Sequence, residues 1–220
     1  MTTGQKPEGY HPQDPDPMMQ RAMRLMRRSV PRQEKFFESA TELAEVISHL
    51  RSAGCVIALT MGTWDLFHIG HADYIEKAKE TVRERYPDAE QVILVVGVDT
   101  DELTRQRKGP KRPVVNEDER CALIGHLVHV DAIALQHELG YLQKQIPHDV
   151  YIISTTTPDL ASMEEMQKNC REVINLPPQA ETSTSARVRL LFIEGAQEAL
   201  LRFGKSIGNL LEELGNAFEV

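Results

Sequence analysis

CVIALTMGTWDLFHIGH, residues 55–71, decides how this chain is read. Its first part, CVIALT (55–60), is a short apolar run of the kind that forms a strand buried on both faces. A turn follows, and over residues 69–85 Ile75, Ala78 and Val82 return at helical spacing. His68 and His71 stand three residues apart where that helix begins, so both imidazoles can face one side of its first turn. Gly70 removes side-chain bulk between them. A helix N-terminus offers unpaired backbone N–H groups and a partial positive charge, which favours bound phosphate. Two imidazoles placed there can donate hydrogen bonds to phosphate oxygens, and more strongly when protonated. A metal site is the other use of such a pair, but no third ligand of suitable spacing accompanies it, so no metal ligands are assigned.

Outward from this stretch the pattern stays regular. Before it, Leu43, Val46, Ile47 and Leu50 follow helical spacing, with Ser39 and Glu42 placed for a capping box and Gly54 as the stop. After it come the apolar runs QVILVVGV (91–98), DAIAL (131–135), VYIIS (150–154) and EVINL (172–176). Helical segments are expected after Asn116, over Tyr141–Ile146 and over 160–169. Strands alternating with helices predict an α/β domain: a five-stranded parallel sheet with helices on both faces. In such sheets ligands bind at the carboxyl ends of the strands, near the point where the strand order reverses.

Residues 1–35 read as a tail: four prolines within 1–17, then the basic, Met-rich MMQRAMRLMRRS (18–29). The latter suits a docking helix for a membrane surface or a partner, or a helix packed on its own domain or a second subunit; packing is the expectation. At the other end, in 191–220, Ile193, Ala196, Leu200, Phe203, Ile207, Leu210 and Leu214 recur at spacings of three and four. That seam predicts a long C-terminal helix and, beyond packing on its own domain, a homodimer interface.

The 220 residues carry 25 Lys and Arg against 33 Asp and Glu, a formal charge of −8. Such a balance argues against nucleic acid as a partner. No apolar run is long enough for a transmembrane segment, and no signal-peptide core is visible at the N-terminus. Cys55, Cys121 and Cys170 are odd in number and widely spaced, so a reducing, cytoplasmic setting is expected. Positive charge gathers instead in Arg105, Arg107, Lys108, Lys111 and Arg112. An acidic protein with one basic loop suits a small polyanion. Further on, TSTSARVR (182–189) has the hydroxyl-rich look of a helix N-cap.

GTWDLFHIGH (62–71), VVGVDTDEL (95–103), KGPKRPVVNEDER (108–120) and VDAI (130–133) together resemble the HxGH cytidylyltransferase-like nucleotidyltransferases. These include glycerol-3-phosphate and ethanolamine-phosphate cytidylyltransferases and, closest in look, the adenylyltransferase half of ADP-heptose synthases. The similarity spans roughly 36–190. It implies a Rossmann-like fold, Mg²⁺-dependent use of an NTP (ATP or CTP), and transfer of AMP or CMP to a sugar, polyol or amino-alcohol phosphate with release of pyrophosphate. By the same resemblance His68, His71 and Lys108 are the catalytic residues. Nucleotide binding falls to Gly62, Thr63, Asp65, Gly70, Arg120 and the hydroxyl motif Thr182, Ser183, Thr184 and Ser185, whose first position is Thr182 or Ser183. Asp65 matches the acid that supports the loop. Read from its helical setting alone, Arg120 is an exposed cation pairing with Glu117 or Asp118.

Two segments depart from the family. Pro178-Gln179-Ala180-Glu181 stands where cytidylyltransferases have Arg-Thr-Glu-Gly, and Ser154-Thr155-Thr156-Thr157 where a Gly-Asp-type segment is usual. Both follow strands, where base or acceptor would bind, so base and acceptor stay open. The alternatives are an FAD-synthase-like adenylyltransferase, against which the 5% aromatic content weighs, and a non-catalytic nucleotide-binding scaffold.

Overall fold

The computed structural model describes residues 16–27, 30–155, 168–179 and 196–209. Met1–Gln179 and Ala180–Val220 form separate compact units. In the first, six strands make one parallel sheet in the order β1-β4-β3-β2-β5-β6. They are β1 (Phe36–Phe37), β2 (Val56–Gly62), β3 (Val92–Asp99), β4 (Ala132–Gln136), β5 (Val150–Ser154) and β6 (Glu172–Leu176). The five strands expected from the apolar runs are all present. The sixth, β1, is two residues pairing with Ile133 and Ala134 at the sheet edge, too short to leave a period in the sequence.

Alternate side chains of each strand go to opposite faces. Ile57 and Leu59 of β2 and Ile93 and Val95 of β3 join one core; Val56, Ala58, Val92 and Leu94 join the other. The first core is closed by α1 (Pro17–Leu25), α3 (Ala40–Ser52) and α7 (Tyr141–Gln145). The second is closed by α4 (Ile69–Arg85) and α6 (Glu117–Gly125). α2 (Arg32–Lys35) and α5 (Asp101–Lys108) complete the unit. α1 lies against its own domain: Ala22 and Leu25 are buried, and Arg21 pairs with Glu42 and stacks over Phe37. The packed reading of the Met-rich segment is the one observed.

Ser39 caps α3 by accepting from Thr41 and Glu42 N–H (3.2 and 3.4 Å). The expected capping box is half made, because the Glu42 carboxylate goes to Arg21. Residues 196–209 of the second unit form α8, which carries Ala196, Leu200, Phe203 and Ile207 of the C-terminal seam; Ile193, Leu210 and Leu214 lie outside the described residues. So does most of the helix expected over 160–169. No helix among the described residues is long and apolar enough to cross a membrane.

The chain runs outward from β2 through β3 and β4, then returns to place β5 on the other side of β2. The order therefore reverses at β2, and the loop after Gly62 emerges at that reversal.

Candidate nucleotide site

Between β2 and α4 the backbone makes a tight, specific path. Trp64 and Leu66 both adopt the left-handed region (φ 56° and 47°), which costs a non-glycine residue about 1–2 kcal/mol. The path is held by side chains that compensate. The Trp64 indole is buried and donates to the Gly97 carbonyl (2.9 Å). Gly62 permits this: a Cβ there would lie 3.0 Å from Trp64 Cε2.

The loop delivers His68 as the N-cap of α4, its Nδ1 accepting from Gly70 N–H (3.1 Å). A ring that accepts at Nδ1 carries its proton at Nε2, so neutral His68 is a hydrogen-bond donor through that atom. His71, one turn in, stacks on it with centroids 4.0 Å apart and planes at 25°. Trp64 meets the His71 ring edge-on at 5.6 Å, and Phe67 lies 5.4 Å from it. This aromatic surround removes water, and burial, helped by His68 and Lys108, lowers the His71 pKa to about 4. In the ligand-free protein at neutral pH His71 is thus uncharged, and its buried Nδ1 has no hydrogen-bond partner. The stronger, protonated donor expected from sequence is not the resting state.

The basic segment is not a loop throughout. Thr100 caps α5 by accepting from Leu103 N–H (3.2 Å), Asp101 and Glu102 occupy its first turn, and Arg105, Arg107 and Lys108 its last. That segregation follows the helix dipole. Arg105 pairs with Glu102 (3.0 Å), Arg107 with buried Asp99 (2.5 Å) and Arg112 with buried Asp65 (2.8 Å). Lys108 has no such pair among the described residues; its side chain is exposed, and its ammonium lies within electrostatic reach of His71, with its pKa lowered by partial desolvation first and eased back by Asp99.

Asp65 turns away from open space. Its carboxylate accepts from Val114 N–H (3.1 and 3.0 Å) and Val115 N–H (3.0 Å) as well as from Arg112, binding the 62–68 loop to the 109–116 segment. Thr63 also points inward, its hydroxyl donating to Asp99 Oδ2 (3.0 Å).

Arg120 departs from the exposed cation its helical setting suggested. It is 1% exposed and pairs with neither Glu117 nor Asp118. Its guanidinium donates to the carbonyls of Val115 (2.9 Å), Thr63 (2.5 Å) and Asp99 (2.8 Å) and to Asp101 Oδ1 (2.6 Å). It braces the site loops from inside. Thr182, Ser183, Thr184 and Ser185 lie outside the described residues.

The structure therefore brings His68, His71, Gly70 and Lys108 together, backed by Asp65, Thr63 and Arg120. Asp99 was missed by sequence reasoning. The available signal was an acid ending an apolar strand, VVGVD, at the sheet edge where ligands bind. Among the described residues no three His, Cys, Asp or Glu side chains converge on a cation position. Among the described residues, Asp65 and Asp99 already accept from N–H and O–H donors.

The family model described as Cytidylyltransferase-like matches residues 59–193. The chain belongs to that family. The matched region begins within β2 and spans the HxGH loop and strands β3 to β6, and with that membership the domain is nucleotidyltransferase-like. Among curated relatives, the bifunctional protein HldE of Trichlorobacter lovleyi is 36% identical over 96 residues, 44% of this chain and 18% of that protein. HldE of Desulfatibacillum aliphaticivorans is 30% identical over 150 residues, 67% of this chain and 29% of that one. The chain thus spans less than a third of the length of these two relatives. The crystal structure of the lipopolysaccharide core biosynthesis protein from Thermoplasma volcanium has TM-score 0.46 and 22% identity, covering 56% of this chain and 97% of that one.

Proposed function

We propose that this domain transfers AMP or CMP from an NTP, taken as its Mg²⁺ complex, to a sugar, polyol or amino-alcohol phosphate, and releases pyrophosphate. The observation that carries this reading is the stacked His68–His71 pair at the positive end of α4, with the Lys108 charge beside it. Three kinds of donor meet there: imidazole N–H, helix-terminal backbone N–H and an ammonium. All suit oxygens of a polyphosphate.

A phosphate monoester, with second pKa of about 6, needs no general base near neutral pH. One of its oxygens attacks the α-phosphorus, the new O–P bond forms, and the bond to the β-phosphate oxygen breaks in line. The chain's contribution is to align the triphosphate and stabilise charge developing on pyrophosphate. His68 Nε2–H and His71 act on that charge, and His71 takes up a proton as the anion offsets its desolvation. Mg²⁺ brought in with the NTP would supply further charge neutralisation. The apolar seam through α8 is proposed to pair two copies of the chain.

A panel of NTPs crossed with sugar, polyol and amino-alcohol phosphates, read by pyrophosphate release, tests the reading and names base and acceptor. His71→Ala is expected to fold and to lose roughly 10²–10³-fold in turnover. Turnover at the wild-type level would remove His71 from the mechanism. Triphosphate binding without pyrophosphate release from any pair would turn the reading to a nucleotide-binding scaffold.

A further inference from the structure

Asp99 is fully buried at the carboxyl end of β3, yet it belongs to none of the groups that would touch a nucleotide. Its carboxylate is the meeting point of three elements. Thr63 of the site loop donates to Oδ2 (3.0 Å), Arg107 of α5 donates to the same oxygen (2.5 Å), and Gln136 of β4 donates to Oδ1 (2.9 Å). Its backbone carbonyl takes a fourth bond, from Arg120, which also holds the Thr63 carbonyl. A buried carboxylate is stable only when paired and fully hydrogen-bonded, and a pair of this kind fixes geometry more reliably than it adds stability.

Arg107 and Lys108 are neighbours in the last turn of α5. Residues adjacent on a helix point about 100° apart, so tying Arg107 inward to Asp99 sets the direction in which Lys108 leaves the helix. Two cations side by side also repel, and each lowers the other's affinity for a proton unless an anion intervenes.

Resting on the nucleotidyltransferase reading, we propose that Asp99 is a positioning residue, whose carboxylate tethers Thr63 and Arg107 so that Lys108, the next residue of α5, is held on the side of His71. Asp99 touches no substrate; it acts through the two side chains it holds. Lys108 is faced by Asp99, Arg107, Arg112, Asp65 and His71. Asp99 is the largest influence keeping it protonated, against the desolvation and the two arginines that favour its neutral form.

The link makes a pattern that a merely structural carboxylate would not. Asp99→Asn keeps size and lowers the Lys108 pKa; Arg107→Met removes a repelling cation and raises it. The double variant returns it toward the wild-type value. Lysine side-chain ¹³C NMR over a pH series, with Lys108 assigned by its absence in Lys108→Arg, reads these shifts without any substrate. Turnover is read in parallel. Asp99→Asn is expected to lose about 10- to 100-fold in kcat with KM changed less than threefold, and its alkaline pH limb moves down. Arg107→Met added to Asp99→Asn costs little further, because the two act as one unit.

A Lys108 pKa unmoved by Asp99→Asn overturns the proposal, as do fully additive kcat losses. If Asp99→Asn does not fold, the upward shift in Arg107→Met carries the test, and its absence overturns the proposal equally. Should wild-type protein release no pyrophosphate from any NTP and acceptor, the functional reading fails; the NMR titration still decides the tether.

Discussion

Arg120→Met removes a guanidinium and keeps an unbranched apolar stem of similar girth. In the native chain that guanidinium, 1% exposed, donates to three backbone carbonyls, of Thr63, Asp99 and Val115, and to the Asp101 carboxylate. All four acceptors lose a donor on substitution. A buried acceptor left unpaired costs about 1–3 kcal/mol, with carbonyls at the low end because a second lone pair can be engaged elsewhere. Breaking a buried ion pair by removing one member costs about 3–5 kcal/mol. The Asp101 side chain is 22% exposed and can be rehydrated, so that contribution shrinks. Taken together, a loss of about 3–5 kcal/mol is expected, concentrated in the loops that carry Thr63 and Val115. At roughly 2–4 °C per kcal/mol for a chain of this size, the melting temperature falls by about 6–20 °C. Thermal and urea unfolding followed by far-ultraviolet circular dichroism read the change, and Arg120→Lys should recover only part of it, since one ammonium cannot span four acceptors. A melting point within about 2 °C of wild type would refute the bracing role. If triphosphate binding were lost at the same time, Arg120 would face the ligand, as the family resemblance implies.

Anion binding at the imidazole pair should be coupled to protons. With its pKa depressed to about 4 by burial, His71 is neutral in the free protein at pH 6, and a bound polyphosphate raises that pKa, so binding takes up a proton. Calorimetry of tripolyphosphate binding at pH 6 in buffers of different ionisation enthalpy should show proton uptake that drops in His71→Gln; equal uptake in both proteins would exclude His71 as its source. The same depression makes the fold lose stability as pH falls from 6.5 through 4, because the unfolded chain binds the proton first, and urea midpoints across that window should show a shallower decline in His71→Gln. Asp65→Ala frees Val114, Val115 and Arg112 together, so tryptic cleavage after Lys108 and Lys111 should quicken roughly tenfold, an opening cost reduced by about 1.4 kcal/mol; unchanged cleavage would mean the segment is held elsewhere. Gly62→Ala puts a methyl 3.0 Å from the Trp64 ring and is expected to lower stability by about 1–3 kcal/mol, read as a lower urea midpoint.

The strands were legible because a parallel strand covered on both faces must be apolar along its whole length. Every residue of Val92–Asp99 is buried, and the sequence shows it as an unbroken run up to the final acid. α5 was not legible as a helix because it buries only Leu103 and Thr104, leaving charges where a period should be. Its signals were subtler: a Thr cap, two acids at its start and three bases at its end. The HxGH loop stood out because its two imidazoles and the glycine between them lie within four residues of one another. The groups behind it did not. Asp99 meets Thr63 across 36 residues and Arg120 meets Thr63 across 57, and a buried charge satisfied by distant backbone leaves no mark on its neighbours. A sequence shows Arg120 as one more cation on an acidic helix; only the folded chain shows which carbonyls it serves.

The chain contains one tryptophan, and it is the Trp64 whose indole spans from the Gly97 carbonyl to the edge of the His71 ring. Ultraviolet excitation of the unlabelled protein at wavelengths selective for indole therefore reports from the loop that carries the imidazole pair and from nowhere else. Protonating the adjacent imidazole, a known class of quencher for such emission, would dim that signal, so the molecule carries its own optical gauge of that ring's charge.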